Sequence, residues 1–317
     1  MNGCVREPSE LPSGRKVLAL GVFDGVHRGH QEIFRQLRKM AERTDATPVA
    51  LFFEPHPKEV VAPPGPVPLT SCETRLALMR SCGVEEIVAL PFTRELSRLA
   101  PEEFLETFFV RDGLEVMGFC VGENWRFGRG NAGDPALLAD WSRRHNAETI
   151  VVPSVLHEGE PISSTRIRHA VQEGNLAKAE AMLGHPHRIG GVVRHGWGNG
   201  HAQTRFPTAN LDEQAGLFPP KGVYAGRASV DGKMQDAIVY VGDAPSIRKD
   251  VRVLLTEVHL LEAPAEEQYG KFMTVEFWKF LREERLFQTA EELSAQIQQD
   301  IEAAKTALTV HGTHGTH

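Results

Sequence analysis

In the first half of the chain, apolar residues fall in short unbroken blocks rather than in alternation. The blocks are "KVLALGVF" (16–23), "TPVALFFEP" (47–55), "EEIVALPF" (85–92), "LEVMGFCVG" (114–122) and "ETIVVPSVL" (148–156). Strands covered on both faces, as in a parallel sheet, read this way. Between the blocks the period changes to that of a helix. Ile33, Phe34, Leu37, Met40 and Ala41 share one helical face. "PEEFLETFF" and "PALLADWSRRHN" behave alike, each opening on a proline suited to a first helical turn. Strand and helix in alternation predict an α/β domain with a doubly wound parallel sheet over residues 15–185.

Beyond residue 185 the pattern changes. "GVYAGRASVDGKMQDAIVYVG" reads as two strands joined at Asp231-Gly232, a hairpin turn signal. "VRVLLTEVHLL" and "KFMTVEFWKF" read as further strands. A last helix is capped by Thr289, with Glu292 three residues on as in a capping box. Leu293, Ile297, Ile301 and Leu308 make its apolar face. Strands closed by one helix predict a small β-barrel with a C-terminal helix over 186–309. The low-complexity stretch 310–317, ending "HGTHGTH", is expected to be a disordered tail.

Length and composition bound the function. A chain of 317 residues suits two domains. A formal net charge of −7 gives no general attraction to nucleic acid or acidic membranes, so any phosphate site must be local. The polar N-terminal stretch lacks the apolar core of a signal peptide, so none is expected, and no run reaches the ~18 apolar residues of a membrane span. Cys4, Cys72, Cys82 and Cys120 form no CxxC pair, which argues against a zinc site and fits a reducing cytoplasm.

Candidate chemistry gathers at the strand ends. In "GVFDGVHRGH", Gly21 and Gly25 fall where the first strand gives way to the first helix. Glycine lets backbone N–H groups approach phosphate oxygens, and a helix N-terminus adds partial positive charge. His27 and His30, three apart, share a face of the first helical turn. Neither a Walker loop nor a G-x-G-x-x-G spacing is present. "FEPHP" follows the second strand, "GENWRFGRGNAGD" the fourth and "PISSTRIR" the fifth.

Together, in this order, these segments resemble the prokaryotic bifunctional riboflavin kinase/FAD synthetase family, and nearly the whole chain takes part. The resemblance implies an FMN adenylyltransferase domain that converts FMN and ATP to FAD and pyrophosphate. It implies that His27 and His30 bind the phosphates in the transition state. Ser163, Ser164, Thr165 and Arg168 would hold the β/γ end of ATP. Gly21, Phe23, Asp24 and Gly25 would fix the nucleotide, and Asn124 and Arg126 would contact flavin. Mg²⁺ would bridge phosphate oxygens, held mostly by ATP. The family's "DFRFG" appears here with Asn124-Trp125 in place of Asp-Phe.

The second half resembles the family's riboflavin kinase, a six-stranded barrel. By that resemblance Thr208 and Asn210 of "FPTANL" place oxygens on Mg²⁺ and ATP phosphate. Glu257 is the general base for the ribityl 5′-hydroxyl. Glu257 also shares strand phase with Val253, Leu255 and Leu261, so it is expected on their side of the sheet. Two departures stand out. The family's G-R-x-L-G before "FPTAN" is replaced by His201, Ala202, Gln203, Thr204 and Arg205. Its N-I-G-x-x-P-T appears as Tyr240 to Ser246 without the Asn. The expected activity is riboflavin phosphorylation followed by adenylyl transfer, with riboflavin, FMN and ATP as ligands. The alternatives are an FAD synthetase with a weakened or inactive kinase half, a non-catalytic flavin or nucleotide carrier, and a related transferase with another phosphate acceptor.

Overall fold

The computed structural model describes residues 13–194, 208–243, 254–262 and 268–312. The five apolar blocks are five parallel strands, β1 (Gly14–Gly21), β2 (Thr47–Glu54), β3 (Glu86–Pro91), β4 (Leu114–Gly122) and β5 (Glu148–Val152). Their order across the sheet is β3-β2-β1-β4-β5. The chain therefore winds one way from β1 to β3, then returns to the other side of β1. In such a sheet the crevice for a ligand opens beyond the carboxyl ends of the strands where the winding reverses. Here that place is the ends of β1 and β4, at Gly21 and Gly122.

The helices of this part are α1 (Arg28–Thr44), α2 (Pro57–Val61), α3 (Cys72–Ser81), α4 (Pro101–Phe109) and α5 (Pro135–Arg144). The five residues expected on the apolar face of α1 are its buried residues, Ile33, Phe34, Leu37, Met40 and Ala41. Both faces of the sheet are covered. Leu18 and Leu20 pack with Phe104, Phe108, Phe119 and Trp141, and the alternate Val17 and Ala19 are fully buried as well. That is why β1 reads as a continuous apolar run. A short hairpin, β6 (Leu156–His157) with β7 (Glu160–Pro161), leads to α6 (Ser164–Gln172) and α7 (Leu176–Leu183).

Six antiparallel strands then close a barrel: β8 (His187–Arg194), β9 (Ala209–Ala215), β10 (Gly222–Val230), β11 (Lys233–Asp243), β12 (Leu254–Leu260) and β13 (Phe272–Arg282). Closure removes every sheet edge. The hairpin turn between β10 and β11 is Asp231-Gly232, both with positive φ, and Val230 pairs with Lys233 across it. Val193, Leu211, Val239, Val258, Val275 and their neighbours fill the interior. Helix α8 (Ala290–Gly312) covers part of the outer wall, burying Ile301, Ala304, Ala307 and Leu308 against Val223, Ala225 and Ile238. Its start is capped as expected. The Glu292 amide donates to Thr289 Oγ1 at 3.2 Å, and the Glu292 carboxylate accepts from the Gln288 amide at 3.0 Å.

The chain divides into two compact units. One holds the described residues up to Pro68 and Arg75–Ser164. The other holds Leu69–Thr74 and the described residues from Thr165 on. Helix α6 from Thr165 on, and α7, thus group with the barrel.

Candidate active sites

The β1–α1 turn is built from residues in uncommon backbone conformations. Phe23, Gly25 and Val26 have φ of 53°, 76° and 43°. Glycine accepts this freely, but a β-branched valine there is an outlier. Such strain costs roughly 1–3 kcal/mol per residue and persists only where the surroundings enforce it. Here Phe23 and Val26 are fully buried, and Gln31 Nε2 donates to the Val26 carbonyl at 2.9 Å. Gly21 permits the fold-back, because a Cβ on it would lie 2.7 Å from the Phe23 ring.

The product of this geometry is a pair of imidazoles. His27 is the N-cap of α1 and His30 lies in its first turn. Their rings stack at 3.6 Å between centroids and 19° between planes. The Phe23 ring stands edge-on to His30 at 5.3 Å. Burial, then His27 and the Arg75 guanidinium, hold His30 well below the usual imidazole range. His30 is therefore neutral near pH 7 and can donate one N–H. Its Nδ1 is buried and makes no hydrogen bond among the described residues. Buried polar groups left open in this way mark places that a ligand can complete.

The other residues expected in this site lie as follows. Asp24 is buried at 3 % exposure, and its carbonyl accepts from Ser164 Oγ at 3.1 Å. That bond lies within the first unit, to which Ser164 belongs. Ser163 precedes α6 and Ser164 begins it, while Thr165 and Arg168 follow on its first turns and fall in the second compact unit. Phe23 has no exposed ring surface, so it acts as the wall behind His30 and only its backbone remains for a ligand. Asn124 Nδ2 donates to Ser154 Oγ at 3.3 Å. Arg126 turns back on its own loop, donating to the carbonyls of Glu123 and Trp125 at 3.3 and 2.7 Å. Trp125, at the family's Phe position, stacks on Phe127 at 4.4 Å.

One pair escaped the sequence reading. Arg75, on α3, is 5 % exposed and pairs with Glu54 at the end of β2 at 3.0 Å. Glu54 was in view as part of "FEPHP", but nothing in the sequence links it to a residue 21 positions away. Burial raises the Glu54 pKa, and Arg75 works against that rise.

In the barrel, cross-strand register gathers the second constellation. Glu257 on β12 lies opposite Asn210 on β9 and opposite Tyr240 on β11. Asn210 in turn lies opposite Arg194 on β8. Directly opposed residues point to one face, so the four side chains form a row. Their sequence neighbours Val193, Ala209, Leu211, Val239, Val241 and Val258 are interior, so the row is on the outer wall. Leu261, packed on the α8 side, shares this face with Glu257. Val253 lies outside the described residues. Asn210 is nonetheless only 5 % exposed, and its Oδ1 has no hydrogen-bond partner among the described residues. An orphaned, buried amide oxygen suits a hard cation such as Mg²⁺. Thr208, half-buried, immediately precedes β9 two positions before Asn210, the period of one strand face. Tyr240 donates to the Glu284 carboxylate, and burial with that carboxylate pushes its pKa up. Residues 201–207 and 244–253, which include the altered flap and the end of the Tyr240 motif, lie outside the described residues.

Comparison with known proteins covers both constellations. Residues 10–166 match the family model described as FAD synthetase, and residues 183–308 match riboflavin kinase. The chain is 34% identical over 294 residues to the bifunctional riboflavin kinase/FMN adenylyltransferase of Escherichia coli K12, covering 92% of each. It is 31% identical to the protein of that name from Bacillus subtilis, again covering 92% of each. A crystal structure from Streptococcus pneumoniae, titled a macrolide-efflux protein, aligns with a TM-score of 0.81 at 27% identity, covering 95% of this chain and 99% of that one. Among the described residues, no helix is long and apolar enough to cross a membrane.

Proposed function

The chain belongs to the bifunctional riboflavin kinase/FMN adenylyltransferase family, and on that premise we propose how its residues divide the two reactions. It phosphorylates riboflavin to FMN and adenylates FMN to FAD, with ATP as co-substrate in both steps. The kinase step belongs to residues 186–309 and the adenylyl step to residues 15–185. The cytoplasm, where riboflavin and ATP meet, is the proposed location.

In the kinase step, Glu257 takes the proton of the ribityl 5′-hydroxyl. The freed oxygen attacks the γ-phosphorus of ATP, the bond to the β-bridging oxygen breaks, and ADP leaves. Asn210 Oδ1 and Thr208 Oγ1 would hold Mg²⁺ with the nucleotide. When bound, the ion neutralises charge on the phosphate oxygens. The cross-strand pairing of Glu257 with Asn210 supports this division of roles between base and metal ligand.

In the adenylyl step, a phosphate oxygen of FMN attacks the α-phosphorus of ATP in line, and pyrophosphate leaves. No covalent intermediate with the protein is needed. His27 and His30 donate to the phosphate oxygens where charge builds, as preorganised donors do. Gly21, Phe23, Asp24 and Gly25 offer backbone to the nucleotide. Ser163, Ser164, Thr165 and Arg168 take the β/γ end, and Asn124 and Arg126 meet the flavin.

The observation that carries this division is the occurrence of two separate constellations. The stacked His27/His30 pair lies at a helix N-terminus in one unit, and the Asn210–Glu257 pair lies on the barrel wall in the other. Two variants test it. His30→Ala slows FAD formation from supplied FMN by ~10²-fold and spares riboflavin phosphorylation. Glu257→Gln abolishes riboflavin phosphorylation and spares FAD formation from FMN. Equal loss of both activities in either variant would refute the division.

A further inference from the structure

Arg75 lies on α3, outside every segment assigned above, yet it reaches the floor of the β1–α1 turn. Its Nη2 donates to Glu54 Oε2 at 3.0 Å, and its Nη1 donates to the carbonyl of Val22 at 3.3 Å. Its guanidinium carbon lies 4.8 Å from the centroid of the Phe52 ring. Val22 is the residue between the end of β1 and Phe23, while Phe52 and Glu54 are at the end of β2. One side chain thus ties together the ends of the two strands on which the turn rests. Burying a guanidinium is costly unless it is well paired. Here the pairing is incomplete, for Nε is buried and unpartnered among the described residues.

We propose that Arg75 is a positioning residue for adenylyl transfer, whose two-pronged grip on Val22 and Glu54 sets where His30 meets the transferred phosphate. The inference rests on the reading of His30 as a phosphate donor. Gln31 and Ser164 hold the turn at the Val26 and Asp24 carbonyls, and Arg75 holds it at Val22, where it leaves β1. Val22 carries the strained Phe23–Val26 segment, and a shift of the Val22 carbonyl moves the Phe23 wall and the imidazole it backs. Arginine suits the task because its planar fork serves two acceptors in different directions, whereas a lysine ammonium is a single point charge. The charge has a second effect. His27 and Arg75 are the charged or titratable groups acting on His30, and Asp24, Glu59 and Arg75 act on Glu54. Arg75 is therefore the fixed cation that discourages His30 from taking up a proton.

The test uses the full chain as Arg75→Lys and Arg75→Met, with riboflavin phosphorylation in the same preparations as the measure of folding. Arg75→Met is expected to lower kcat for FAD formation by roughly 30-fold with the ATP KM changed less than about threefold, the split of a group acting on transition-state geometry. Its acid limb in the kcat/KM profile should move to higher pH, because His30 loses a neighbouring positive charge. Arg75→Lys should leave that limb in place yet remain about 10-fold slow, since charge returns without the fork. A merely structural arginine would be rescued by lysine and would leave the limb unmoved. Either result overturns the proposal. If Arg75→Met loses both activities, Arg75→Lys decides: wild-type FAD formation overturns the proposal, and slow FAD formation with an intact kinase sustains it. His30→Ala run alongside separates the two readings, for near-normal FAD formation in that variant removes the donor role of His30 itself.

Discussion

At the residue scale, the adenylyl site depends on contacts too close to allow for added atoms. Gly21 illustrates this. A methyl group there would meet the Phe23 ring at 2.7 Å, and that ring is fully buried. Phe23 also stands edge-on to His30. Gly21→Ala is therefore expected to displace the imidazole pair and to lower kcat for FAD formation by about 10–100-fold. Riboflavin phosphorylation measured on the same sample should stay within about twofold, since the barrel has its own core. An alanine variant with wild-type FAD formation would show that the Phe23 wall does not set His30. The two glycines and two histidines of the first turn were legible in the sequence, because strand end, glycine and helix start fall in a fixed order there. Arg75 was not. A single cation in a helix gives no sign that it is buried, and its partner is 21 residues earlier in the chain.

At the element scale, legibility followed how fully each element obeys its own period. The five buried residues of α1 were read without error from their helical spacing, and the β10–β11 turn from its Asp-Gly pair. Helix α3 and strand β8 were not read. Helix α3, "CETRLALMRS", has no clean apolar stripe, and Arg75 occupies one of its buried positions. Strand β8, "HRIGGVVR", breaks its alternation with two glycines and buries a histidine at its start. That histidine makes a test of the strand. His187 is 1 % exposed, and its Nε2 lies 2.6 Å from the Leu217 carbonyl, to which it donates in the neutral form. Burial lowers its pKa to about 4. The unfolded chain, with an ordinary imidazole near pH 6.5, binds the proton more readily than the fold does. Stability from this group is thus fully present above about pH 6.5 and falls as pH drops toward 4, by up to about 3 kcal/mol. Chemical denaturation at about pH 7 and pH 4.5 should show this fall in the wild-type chain. His187→Gln, which keeps an N–H donor but cannot titrate, should show a shallower one. Identical slopes in the two proteins would mean that other groups govern the acid response of the barrel.

At the scale of the whole molecule, the two reactions are chemically ordered. The nucleophile of the adenylyl step is the phosphate that the kinase step installs, so neither half alone converts riboflavin to FAD. This chain departs from the family's kinase pattern at the glycine-rich flap, His201 to Arg205, and at Tyr240, where the family has Asn. The residues proposed above to serve Mg²⁺ and the ribityl hydroxyl, Thr208, Asn210 and Glu257, are all retained. An idle barrel would have no physical need for a buried amide oxygen opposite a carboxylate, and an unpaired polar atom there costs about 1–3 kcal/mol. A time course with riboflavin, ATP and Mg²⁺, resolved by chromatography, is therefore expected to show riboflavin falling, FMN appearing first and FAD accumulating from it. Supplying FMN at the start should remove any delay before FAD. Riboflavin left unchanged would mean that the substituted flap has silenced the barrel. FMN added to that same mixture would then still be adenylated, because the His27/His30 pair and its strained turn belong to the first compact unit.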